Sequence, residues 1–125
     1  EHKYKNYSSA IEFVITNEEG KKIYVVGTIG MNNEERIISI KNHDVDMAIS
    51  DNMIYLGNED VPGVIGAVGA TLGKGNINIA TMNVGRRENS AIMLLTVDSE
   101  VGRRSLKELR GLSQIKWAHY LDLTI

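Results

Sequence analysis

The stretch from Met53 to Leu72 commits this chain to one geometry more firmly than any other. Met53-Ile-Tyr-Leu56 is an apolar segment, Asn58-Glu-Asp60 ends it with a short carboxylate at a turn, and Pro62 has the fixed φ that suits the first turn of a helix. Beyond it, Val64, Ile65, Val68 and Leu72 stand at helical offsets on one side, while Gly66, Ala67, Gly69 and Ala70 make a lean opposite side that another backbone can approach. The unit reads as strand, turn, helix. The first-turn amides of such a helix have no intrahelical partner and lie at its positive end, so a small anion over Gly63 and Val64 is stabilised. Asp60 beside them offers a partner for an ammonium, or, in the plainer reading, a cap for the helix. The turn thus has the chemistry of half a site for a free amino acid.

The residues that follow extend this unit. Gly73-Lys-Gly75-Asn76 stops the helix, with Gly75 expected as the left-handed residue past its end. Ile77 to Val84 reads as a strand, Gly85 to Asn89 as a polar turn, and Ala91 to Val97 as a nearly continuous apolar strand suited to the centre of a sheet. Asp98 or Ser99 can cap a short helix through Arg110, with Leu106 and Leu109 inward and Gly111 ending it. Ile115, Trp117, Leu121 and Leu123 then alternate with polar residues in a closing strand, and His119 falls in phase with Trp117 as a core or interface histidine. The order is β-α-β-β-α-β, which predicts an α+β, ferredoxin-like unit: a four-stranded antiparallel sheet with both helices on one face.

The first fifty residues carry a different pattern. Ala10 to Thr16 and Lys22 to Val26 read as a hairpin around Asn17-Glu-Glu-Gly20, Gly27-Thr-Ile-Gly30 as a break, Arg36 to Ile40 as a third strand, Asn42-His43-Asp44 as a turn and Val45 to Ile49 as a fourth strand. This is a small antiparallel β-meander. Ser50-Asp51-Asn52 is the expected boundary, giving modules 1–51 and 52–125. A meander of this size buries little by itself, and the chain opens on Glu1, so a piece of a larger protein is the expectation.

Composition narrows the function classes. With 14 Lys plus Arg against 16 Asp plus Glu, the net charge of −2 predicts neither a nucleic acid nor an acidic membrane surface as partner. The absence of cysteine removes thiolate catalysis and thiolate metal sites, and it fits a reducing compartment, the cytoplasm being the default. His2, His43 and His119 are not spaced as metal ligands, and no glycine run has the spacing of a phosphate or dinucleotide loop. No nucleophile or acid–base pair can be assembled, so no catalytic residue is assigned. Lys21-Lys22, Arg86-Arg87 and Arg103-Arg104 read as solvated charge.

Asn58-Glu-Asp-Val-Pro-Gly-Val-Ile-Gly, Gly75-Asn-Ile-Asn-Ile-Ala and Met82-Asn-Val-Gly-Arg resemble the ACT domain, a small ligand-binding regulatory module. More narrowly, they are similar to the C-terminal regulatory region of the D-3-phosphoglycerate dehydrogenase family. Val26-Gly-Thr-Ile-Gly30, Arg36-Ile-Ile-Ser-Ile40 and Val45-Asp46 look like the latter half of the allosteric-substrate-binding domain that precedes the ACT domain in longer members. The iron–sulfur L-serine dehydratases join the same two modules and are the rival resemblance.

The resemblance implies an effector site for L-serine or another small amino acid. In it Asp60 meets the ammonium, Asn58 lies beside it, the amides of Gly63 and Val64 hold the carboxylate, and Asn78 contributes an amide. It further implies a homodimer in which two ACT domains pair side by side with effector at the interface, the lean helix side permitting that approach. In the first module it implies an anion site at Arg36 and His43, weakened where Ala48 stands at a position that is Arg in a relative. It places no cofactor in this stretch. NAD and the catalytic domains would belong upstream in the parent enzyme. An oligomerisation module with a vestigial effector site is the remaining alternative.

Overall fold

The computed structural model describes residues 11–16, 20, 22–29, 35–40, 43–87 and 90–122, with backbone alone at Ile11, Phe13, His43, Asp44, Arg87 and Ser90. These form two units, Glu1–Ile49 and Ser50–Ile125.

The first unit is a four-stranded antiparallel sheet in the order β1 (Ile11–Thr16), β2 (Lys22–Ile29), β3 (Glu35–Ile40) and β4 (His43–Ala48). Gly20, at φ 79°, lies in the connection between β1 and β2, a left-handed position that favours glycine. The expected break at Gly27 is absent. β2 runs on to Ile29, and Gly27 sits at a register shift against β3, the place where a glycine inside a strand is accommodated. His43 and Asp44 also belong to β4, paired with Ile40 and Ser39, because ladder pairing overrides their turn preference. Ile37, Ile38, Ser39 and Ile40 are all buried, so β3 is buried on both faces.

The second unit holds β5 (Asn52–Glu59), α1 (Val64–Lys74), β6 (Ile79–Arg87), β7 (Ser90–Val97), α2 (Arg103–Arg110) and β8 (Ile115–Asp122). Its sheet has the order β6-β7-β5-β8, antiparallel throughout, with β6 and β8 at the edges. Ile54 and Leu56 of β5 and Met93, Leu95 and Val97 of β7 form one core with Val64, Val68 and Leu72 of α1 and Leu106 and Leu109 of α2. Both helices therefore lie on the same face, as the element order predicts. Each fully buried Leu or Val contributes about 1.5–3 kcal/mol to that packing. The other face carries Met53, Tyr55, Ile92, Leu94, His119 and Leu121, also buried, which is why β5 and β7 read as continuous apolar runs.

Local geometry departs from the sequence expectation in ways that shape the unit. Gly63 has φ 91° and ψ −9°, so the helix starts at Val64 and Pro62 stands in the turn before it. These angles are those of the third residue of a type II turn, where Pro followed by Gly is favoured. Ile65 is 54% exposed and does not join Val64, Val68 and Leu72 in the core. At the other end the left-handed residue is Asn76, at φ 61°, and Gly75 is not left-handed. Ile77 N donates to Leu72 O and Asn76 N to Gly73 O, both at 3.0 Å. That is the Schellman closure, sealed by the buried Leu72 and Ile77. Gly75 is needed for another reason: a Cβ there would stand 2.4 Å from Ser105 Oγ of α2.

Three further expectations are corrected. β6 extends through Gly85 to Arg87, paired with β7, where a polar turn was expected. α2 starts after Gly102 without a side-chain cap, and Asp98 is engaged elsewhere. In β8, Ile115 and Trp117 do not share a face. Gly57 pairs with Trp117 and Asn58 with Ile115, so Lys116 is the extra residue of a bulge that shifts the phase. Ile115 joins the helix-side core, while Trp117 packs on the opposite face against Tyr55 at 4.8 Å and stacks on His119 at 5.5 Å. Among the described residues, no helix is long and apolar enough to cross a membrane.

Candidate effector site

The end of β5 is pinned before the chain turns. Glu59 N donates to Gln114 O at 2.9 Å, and the carbonyl of Glu59 accepts from both Val61 N at 3.0 Å and Asn58 Nδ2 at 2.7 Å. These bonds hold the turn that presents Asp60 outward. Asn58 lies beneath it, 3% exposed, and its Oδ1 has no hydrogen-bond partner. A buried acceptor left in that state costs about 1–3 kcal/mol.

Asp60 does not cap the helix. Arg86 on β6 reaches it through Nε, at 3.1 Å from Oδ1 and 3.0 Å from Oδ2. Both side chains are open to solvent, at 70% for Arg86 and 38% for Asp60. α1 itself has no side-chain cap and no acidic residue in its first turn, so the amides at Gly63 and Val64 remain an uncompensated positive end. Asp60, Arg86, Asn58 and the start of α1 thus make one cluster at one end of the sheet.

Arg86 is the member that sequence reasoning missed, having been placed in a solvated turn. No local signal marks it: Arg87 and Glu59 both pair with Ser90, and that register is what carries Arg86 to the end of β5.

Asn78 lies elsewhere. It precedes Ile79, which pairs with Val97, whereas Asp60 follows Glu59, which pairs with Ser90. Seven residues of β7 separate these ends, roughly 24 Å at about 3.4 Å per residue. Its Nδ2 donates to Asp98 Oδ2 at 2.6 Å, and Asp98 N donates to Asn78 O at 3.1 Å. One copy of the chain therefore brings Asn58, Asp60, Gly63 and Val64 together and leaves Asn78 at the opposite end of the sheet.

In the first unit Arg36 pairs through Nε with Asp46 on β4, and its Cα partner across the ladder is Ala48. The side chain of His43 lies outside the described residues. No group of three His, Cys, Asp or Glu able to hold a metal occurs among the described residues.

A four-stranded antiparallel sheet in the order β6-β7-β5-β8 with two helices on one face defines an α+β, ferredoxin-like module, and at one end of it an uncapped helix start stands beside a carboxylate. The ACT domain model matches residues 52–114, half of the chain, and the chain belongs to the ACT domain family. Among curated relatives, the D-3-phosphoglycerate dehydrogenase of Bacillus subtilis is 40% identical over 91 residues, covering 71% of this chain and 17% of the relative. That of Archaeoglobus fulgidus is 38% identical over 123 residues, covering 95% of this chain and 23% of the relative. That of Methanocaldococcus jannaschii is 32% identical over 121 residues, with 95% and 23% covered. The chain spans about a fifth of the length of these relatives.

Proposed function

We propose that this chain is the regulatory region of a D-3-phosphoglycerate dehydrogenase, binding L-serine between two paired ACT domains and transmitting feedback inhibition to catalytic domains elsewhere in the parent. Residues 1–51 are then the latter half of an allosteric-substrate-binding domain, and NAD-dependent chemistry belongs to the rest of the parent. The observation that carries the reading is the Asp60 turn, where an exposed carboxylate adjoins uncapped helix amides in a chain similar to dehydrogenases of that name. The same relatives favour the dehydrogenase over the dehydratase as parent.

Asn78 supports a site built from two copies, because within one copy it lies at the far end of the sheet from Asp60. An edge-to-edge pairing of β6 strands about a two-fold axis brings the start of one β6 to the end of the other. By linkage, serine inhibits to the extent that it binds the paired arrangement of the less active state more tightly. The absence of cysteine fits the cytoplasm as the compartment. An anion at Arg36 and His43 remains a secondary proposal, since Asp46 already engages Arg36.

Isothermal titration of the chain with L-serine tests the reading, the expected result being saturable heat that Asp60→Ala abolishes. No heat and no thermal shift at millimolar serine would dismiss it and leave the oligomerisation module with a vestigial site.

A further inference from the structure

The Asp60–Arg86 pair deepens the proposed effector site, on which the following rests. Arg86 spends only Nε on Asp60, and the terminal nitrogens of its guanidinium are not used in that contact. The pair is exposed on both sides, and exposed ion pairs are weak, so a ligand that replaces each partner's contact displaces it at little cost. The charges on offer are one carboxylate, one guanidinium and the positive start of α1. Asn58 Oδ1, buried at the base of the same turn, is an acceptor still without a donor.

We propose that Arg86 is a specificity residue of this site: it neutralises Asp60 while the site is empty and takes the ligand's α-carboxylate when the ammonium replaces it on Asp60. The occupant is therefore a zwitterion. An amine alone would displace Arg86 from Asp60 and leave the guanidinium unpaired. A carboxylic acid alone would take Arg86 and set its own charge beside a bare Asp60. Only a ligand carrying both groups on one carbon exchanges one ion pair for two.

The test is isothermal titration of the wild-type chain and of Arg86→Gln with L-serine, ethanolamine and 3-hydroxypropionate, which keep respectively both charged groups, the ammonium and the carboxylate. Wild type is expected to bind serine at least tenfold more tightly than either truncated compound. In Arg86→Gln, serine affinity is expected to fall tenfold or more, and its advantage over ethanolamine to collapse as Asp60 is released. Circular dichroism of the variant, altered at a 70% exposed side chain, is expected to match wild type. Unchanged serine affinity in Arg86→Gln, or ethanolamine binding wild type as well as serine does, overturns the role of Arg86 alone. A wild-type chain that binds no amino acid overturns the effector reading and this one with it.

Discussion

Asn78 and Asp98 are joined twice, side chain to side chain at 2.6 Å and backbone to backbone at 3.1 Å, at the end of the sheet away from Asp60. An effector site that uses both Asn78 and Asp60 therefore needs two copies of the chain.

Complementation follows from that. Asp60→Ala and Asn78→Ala are each expected to remove serine binding. Mixing the two after co-refolding restores it, since each mixed dimer keeps one site with both side chains. Random pairing yields about a quarter of the wild-type sites. Titration of the mixture reads the stoichiometry, and a mixture as inactive as its components would place both residues in one copy's site.

Gly57 leaves room for the indole that lies across from it. A Cβ at position 57 would stand 2.4 Å from Trp117 Cε2 and 2.6 Å from Cζ2, inside any permitted contact. Gly57→Ala is expected to force the ring off its contacts with Tyr55 and His119 and to cost about 1–3 kcal/mol, as overpacking does. Trp117 is the one tryptophan in the chain, so urea unfolding followed by its fluorescence reads both the stability and the ring's new surroundings. A native emission spectrum and an unchanged midpoint would contradict the packing described.

Tyr55 is fully buried with a hydroxyl that has no partner, and burial pushes its phenol well above the ordinary 10.0. The folded chain therefore holds this proton more tightly than the unfolded one. Stability from it is fully present below about pH 10 and is lost above, with a limiting slope of about 1.4 kcal/mol per pH unit. Tyr120 acts in the same direction, raised by burial first and then by the charges of Asp122 and Glu100. Tyr55→Phe is expected to be neutral or stabilising by about 1–2 kcal/mol near neutrality and to shallow the alkaline limb. Urea midpoints at about pH 7 and pH 11 decide it. A variant that loses as much stability as wild type across that interval would remove Tyr55 from the account.

Ile65 stands 54% exposed in the first turn of α1, with Val61 at 44% and Val84 at 40% the other large apolar side chains exposed in this unit among the described residues. If the paired ACT arrangement uses this surface, Ile65→Asp yields a monomer whose own stability changes by no more than about 0.5 kcal/mol. Sedimentation at micromolar concentration is the measurement, and a dimer that persists in Ile65→Asp would move the pairing to another face.

Much of the second unit was legible because its signals are local. The Pro62-Gly63 turn, the spacing of Val64, Val68 and Leu72, and the apolar run of β7 each restrict the backbone within a few residues, and together they allow one element order. The ends of elements were less legible. Gly75 and Asn76 can both supply a left-handed stop, and the close approach of Ser105 to Gly75, a contact thirty residues away in sequence, is what separates their roles. In β8 a pure alternation put Ile115 with Trp117, and only the bulge at Lys116 sends them to opposite faces.

The site divides along the same line. By itself, the sequence determined that the Asp60 turn offers a carboxylate beside free helix amides, since both follow from residue types within one turn. Only the tertiary structure decided that Arg86 is the partner of Asp60 and that Asn78 is not, because sheet register sets which distant residues share an end of the sheet. Periodicity identifies the strands, but a side chain at one end of β6 and another before its start differ in neighbours by the whole length of the sheet.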